Sequence, residues 1–205
     1  MGIFSELTSK PWLESQVALD NVHHGGTYTL PTAKIGLRVF LGVVTVMFTL
    51  FVVAYSDRMT LPDWRPVPEP LLMWLNLVVL FASSIAMQWA ASSARQGRTA
   101  NVEAGMLIGG ACALAFLAGQ IMVARQLDAL GYFAPTNPAL AFMYLLTALH
   151  GVHLLGGMVA LGRTVLRVWG GYEAPQVRMS VELCAFYWHF LLVVWLVLFV
   201  WFLIT

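Results

Sequence analysis

The chain has 205 residues, 60% of them apolar and 10% charged, with a formal net charge of +1. Its mean hydropathy is strongly positive. That composition excludes an ordinary soluble domain and predicts an all-α polytopic membrane protein. A charge near zero, with no run of Lys or Arg, gives no support for a nucleic-acid partner.

Residues 1–33 carry Glu6, Lys10, Glu14 and Asp20 and no long apolar core. They read as a polar N-terminal tail lying on the membrane surface or on a neighbour, not as a cleavable signal peptide. A helix needs about 20 apolar residues to cross a bilayer. Five runs within residues 34–205 meet that length: about 35–55, 71–91, 104–124, 139–162 and 181–204. The separators are strong breakers. Pro62, Pro66, Pro68 and Pro70 follow the first run, and Arg95, Gln96, Gly97 and Arg98 follow the second. Gly131, Pro135, Asn137 and Pro138 follow the third, and Gly170, Gly171 and Pro175 lie in the connection over 163–180.

Basic residues in short flanks set orientation. Lys10, Lys34, Arg38, Arg95, Arg98, Arg163, Arg167 and Arg178 fall on one side, and Arg58, Arg65 and Arg125 on the other. The N-terminus is therefore expected in the cytoplasm and the C-terminus in the periplasm. Small residues thin the third and fourth spans: Gly105 and Gly109, then Ala111, Ala115 and Gly119, then Gly151, Gly156, Gly157 and Gly162. Ordinary close helix packing explains all of them. No internal repeat is present, which argues against a repeat-built transporter.

The polar groups inside the spans are more informative, because lipid cannot satisfy them. His150 and His153 share one face of the fourth span, and His189 lies on the fifth at a similar depth. Haem ligation would need an opposed histidine pair, and the other histidines, His23 and His24, lie in the tail. A metal site would want a carboxylate or thiolate close by. Glu182 is two turns from His189, near the membrane edge. Hydrogen bonding between helices is the favoured reading of the three histidines. Asn76, Ser83, Ser84, Gln88 and Gln120 can do the same. Trp74, Trp89, Trp169 and Trp188 fall near the expected interfaces. Cys112 and Cys184 lie in spans and read as packing residues. No CxxC, CxxCH, phosphate loop, Ser/His/Asp arrangement or carboxylate pair occurs.

The pattern His150-Gly151-Val152-His153, Gly157, Arg167, Glu182, Tyr187-Trp188-His189-Phe190 and Val193-Val194-Trp195 resembles subunit III of haem–copper oxidases. The likeness extends to Leu75-Asn76 with Ala82-Ser83-Ser84. It also takes in the stretch from Lys34-Ile35-Gly36 through Phe48-Thr49 to Ala54-Tyr55, so it covers about 34–204. The chain is similar to the five-helix bacterial form, which lacks the first two of seven helices.

The resemblance implies a non-catalytic subunit of a cytochrome c or quinol oxidase in the bacterial inner membrane. Such a chain holds no cofactor and binds no small-molecule substrate; haem and copper reside in partner subunits. It packs on subunit I, with subunit II nearby, and sustains oxygen reduction and proton pumping by protecting the core from inactivation. It also binds phospholipid. By position, Arg167 and Glu182 match family residues at the cytoplasmic membrane edge. There Arg167 suits a lipid phosphate, and Glu182 would pair with Arg167 or orient an amine headgroup. From the residues alone, Arg167 reads equally well as a solvated positive-inside arginine. The chain departs from many members at two intramembrane carboxylates, where it has Val44 and Leu192. Alternatives are a subunit III-like accessory protein of a nitric oxide reductase and, from a different class, a stand-alone haem-binding or transport protein.

Overall fold

Five helices carry nearly all of the described chain. The computed structural model describes residues 32–68 and 70–204. The expected polar tail lies, up to residue 31, outside the described residues. The helices are α1 (Thr32–Arg58), α2 (Leu71–Arg95), α3 (Thr99–Ala129), α4 (Pro138–Trp169) and α5 (Ala174–Ile204), with a 3₁₀ turn at Ala134–Thr136. No strand occurs among the described residues. Each of the five helices is long and apolar enough to cross a membrane, so this is an all-α, multi-pass membrane protein.

Each apolar run lies inside one helix, but the helices are longer than the runs. α3, α4 and α5 have 31, 32 and 31 residues. Hydrocarbon thickness sets the length of an apolar run. The backbone keeps its helical hydrogen bonds through the headgroup layer, where charged side chains are tolerated. The connection expected over 163–180 therefore shrinks to residues 170–173, and Arg167 stands in the last turn of α4 rather than beyond the helix.

Three helices stop in the same way. Gly97, Gly131 and Gly171 have φ of 72°, 85° and 87° after α2, α3 and α4. In each case the next residue donates back five positions: Arg98 to Ser93 O, Tyr132 to Leu127 O and Tyr172 to Arg167 O. This closure needs a left-handed residue, which glycine adopts without a Cβ penalty. α4 starts on Asn137, whose side chain accepts from Ala139 N at 3.1 Å, with Pro138 in the first turn.

Residues from Leu37 onward form one compact unit. Within it, α2 neighbours α3 and α5, and α4 neighbours the same two, so these four close into a bundle. Glycines set the spacing between α2 and α3. A Cβ on Gly105 would lie 2.9 Å from Ala86 O, and one on Gly109 would lie 2.9 Å from Met87 Cγ. A Cβ on Gly119 would run into the Asn76 amide. By contrast Ala111 and Ala115 are exposed, so that part of the small-residue series faces out of the bundle. α1 joins through large side chains: Phe40 and Phe48 meet His153, and Tyr55 meets Phe142 and Phe202. Its Val39, Val43, Val46, Leu50 and Val53 form an exposed stripe at helical spacing.

Candidate functional site

The rim at the C-terminal ends of α2 and α4 is tied by polar bonds between helices. Glu182 Oε1 accepts from Arg95 Nε and from Arg178 Nε, both at 3.0 Å. The carboxylate therefore pairs with these two guanidiniums and not with Arg167. Arg95 ends α2, which packs on α5, and Arg178 is one turn before Glu182 on its own helix. Among the described residues, Arg167 Nη1 reaches only Ser180 Oγ, at 3.4 Å. Trp169 Nε1 donates to Glu103 Oε1 at 2.7 Å, and Ala174 N donates to Thr99 Oγ1 at 3.2 Å. Every adjacent pair in the bundle except α2–α3 is thus bridged at this one rim. Of these contacts the Arg178–Glu182 spacing of four was readable in sequence. The other bridges depend on which helices become neighbours.

About two turns deeper, polar side chains join α2, α3 and α5. Trp188 Nε1 donates to Ser83 Oγ at 2.9 Å, and Ser83 Oγ donates to Gly109 O at 2.7 Å. Trp188 is buried, not interfacial as its position suggested. It turns inward because Ser83 offers its indole an acceptor. His189 bonds across helices: its Nε2 lies 2.9 Å from Gln88 Oε1, and its Nδ1 meets Ser84 Oγ. Since Gln88 Oε1 can only accept, Nε2–H donates, and Nδ1 of the neutral ring accepts from Ser84.

The imidazoles of the other two histidines bond to no other helix among the described residues. His153 Nδ1–H donates to Leu149 O of its own helix at 2.7 Å. His150 is fully buried, and neither ring nitrogen has a partner among the described residues. It packs instead against Phe116 and Trp195, with ring centroids at 5.8 and 5.0 Å. The amide nitrogens of Asn76 and Gln120 are likewise buried without a partner. Asn76 lies against Gly119, where close helix approach takes the place of a bond. No group of three or more His, Cys, Asp or Glu occurs among the described residues in a metal-holding arrangement.

An apolar groove of about 460 Å³ runs between α1, α4 and α5. Phe40, His153, Gly156, Ala160, Cys184 and Tyr187 help line it. Gly156, Ala160 and Arg167 share one face of α4, at steps of four and seven. The groove therefore points along α4 toward the Arg167 rim, about 10 Å beyond Ala160. Val44 is buried, and Leu192 is partly buried against the core; at both positions the chain is apolar.

The comparisons agree with this architecture. A family model described as cytochrome c oxidase subunit III matches residues 28–204. Cytochrome c oxidase subunit 3 of a Synechocystis species is 30% identical over 185 residues, covering 87% of this chain and 76% of that protein. The probable cytochrome c oxidase subunit 3 of Mycobacterium tuberculosis is 28% identical over 171 residues, covering 81% and 84%. That of Thermostichus vulcanus is 27% identical over 196 residues, covering 91% and 94%.

Proposed function

We propose, for a chain that belongs to the cytochrome c oxidase subunit III family, the role of non-catalytic third subunit of a bacterial haem–copper oxidase. In this reading it packs on subunit I, beside subunit II, in the inner membrane, and carries no haem or copper itself. The N-terminus lies in the cytoplasm, as the distribution of eight basic residues against three favours. The Arg167 rim is then the cytoplasmic edge.

One observation carries the lipid-binding part of the reading. Arg167 stands in the last turn of α4, in line with an apolar groove, and its one side-chain bond among the described residues is long. Glu182 is already engaged by Arg95 and Arg178, so the Arg167 guanidinium keeps donors for a phosphate while the groove accepts an acyl chain. Glu182 serves by holding α2 to α5 and by shaping that rim, rather than by meeting the headgroup.

Affinity purification of the chain from native membranes tests the assignment. Haem and copper should co-purify on a partner and be absent from the separated chain. Removing the chain should keep the haem content and reduce the number of turnovers before inactivation. Co-purification with a nitric oxide reductase instead would favour the accessory-protein alternative. A haem band that follows the isolated chain would overturn the reading. Arg167→Ala should lower tightly bound phospholipid in native mass spectrometry; unchanged lipid stoichiometry would refute the lipid role alone.

A further inference from the structure

Gln88 is exposed on the outer face of α2, yet it sits inside the apolar run of that helix, which ends near residue 91. It lies seven residues before Arg95, and its partner His189 lies seven residues after Glu182. The pair is thus about 10 Å deeper than the Arg95–Glu182 bridge, within a hydrocarbon layer about 30 Å thick. The side chain cannot easily reach back to that rim. Side chains tilt toward the N-terminus of their helix, and the near rim is at the C-terminal end of α2. Its Oε1 is also held by His189 Nε2 at 2.9 Å. That leaves the two N–H groups of the amide, which donate to no described residue. Acyl chains offer no acceptor, so a lipid-covered surface would leave both donors unsatisfied.

The flanks are apolar and outward. Ile85, on the same face of α2, is 68% exposed, and Phe186, one turn before His189 on α5, is 51% exposed. Val193 continues that stripe, one turn beyond His189. We infer that this α2–α5 seam, centred on Gln88 and His189, docks a transmembrane helix of the catalytic subunit. That helix supplies a hydrogen-bond acceptor, a Ser, Thr or amide oxygen or a locally freed backbone carbonyl, opposite Gln88. Ser84 serves as a positioning residue: by donating to His189 Nδ1 it leaves Nε2–H to hold the Gln88 oxygen, which turns the amide nitrogen toward the partner. The inference rests on the subunit III reading and says which face of the chain makes the contact.

The experiment places a benzophenone amino acid at Phe186 in the complete oxidase, with Gln88 intact, and irradiates it. The expected product joins this chain to the haem-bearing subunit. In parallel, Gln88→Leu should raise the fraction of the chain lost in a detergent wash about threefold, the ratio given by an interhelical hydrogen bond of average strength. A Phe186 adduct with lipid, with a second copy of this chain or with another small subunit would overturn the inference, and so would unchanged retention of Gln88→Leu. The subunit III reading stands in those cases as long as the chain co-purifies with haem and copper. If it does not, that reading fails instead.

Discussion

Two adjacent glycines on α4 should respond oppositely to a single methyl group. A Cβ on Gly157 would sit 2.6 Å from Tyr187 Cε1 and 3.1 Å from Trp188 Cζ3, whereas a Cβ on Gly156 meets nothing within 4 Å. Ordinary carbon contact is about 3.8 Å, so Gly157→Ala must displace the Tyr187 ring by about 1 Å. Tyr187 is not free to swing, because its hydroxyl donates to His153 O at 2.8 Å. Overpacking of this kind costs about 1–3 kcal/mol, and loss of the hydroxyl bond adds about 1 kcal/mol. Gly156→Ala removes a flexible residue from a helix interior and should be neutral or stabilising by up to about 1 kcal/mol. Reversible unfolding of the isolated chain in mixed micelles measures both. A double-mutant cycle with Tyr187→Phe separates the ring clash from the lost bond. If Gly157→Ala unfolds within about 0.5 kcal/mol of the parent, the α4–α5 contact does not have this tightness and the reasoning fails.

Three further outcomes follow from the contacts described. Trp188→Phe removes the indole donor that ties α5 to α2 through Ser83 and should destabilise the chain by about 1 kcal/mol; Ser83→Ala should then cost less in this background than alone, since only its bond to Gly109 O remains to be lost, and full additivity would count against the relay. Glu182→Gln replaces a carboxylate shared by two guanidiniums and should loosen the α2–α5 rim by about 1 kcal/mol, as for a partly exposed ion pair. Faster amide exchange confined to residues around Arg95 and Arg178 would mark that loosening, whereas exchange accelerated equally along both helices would contradict a local role. Carbodiimide should leave the first span unlabelled, since that span contains no Asp or Glu between Lys34 and Tyr55. An adduct mapped by mass spectrometry to that peptide would break the equivalence of Val44 with the family carboxylate.

The spans were legible in sequence because hydrophobic length is a one-dimensional property, and Gly97, Gly131 and Gly171 marked where helices stop. Pairing across helices was much less legible. His189 takes its partners Ser84 and Gln88 from one face of α2, where they are spaced four apart, a spacing visible in sequence. His150 and Asn76 did not follow the same logic. Each is polar and buried, but the space beside it is set by Phe116, Trp195 and Gly119, which no local pattern brings together. Trp188 was misplaced for a related reason. An indole near a span's end resembles an interfacial anchor until the neighbouring helix presents Ser83. The rim behaved similarly: Arg178 could be matched to Glu182 by spacing, while Arg95 joined them only through the α2–α5 contact. Helix ends were also blurred, since the headgroup layer accepts charge without interrupting the helix.

The Asn76–Gly119 contact carries a consequence for how this chain can change over generations. The amide rests where a β-carbon at position 119 would stand, so the two sites share one small volume between two helices. Position 119 can acquire a side chain only after position 76 has shrunk, and a shrunken position 76 leaves a hollow that invites that side chain. The two positions should therefore drift as a linked pair, with single departures transient and exchanged pairs persisting.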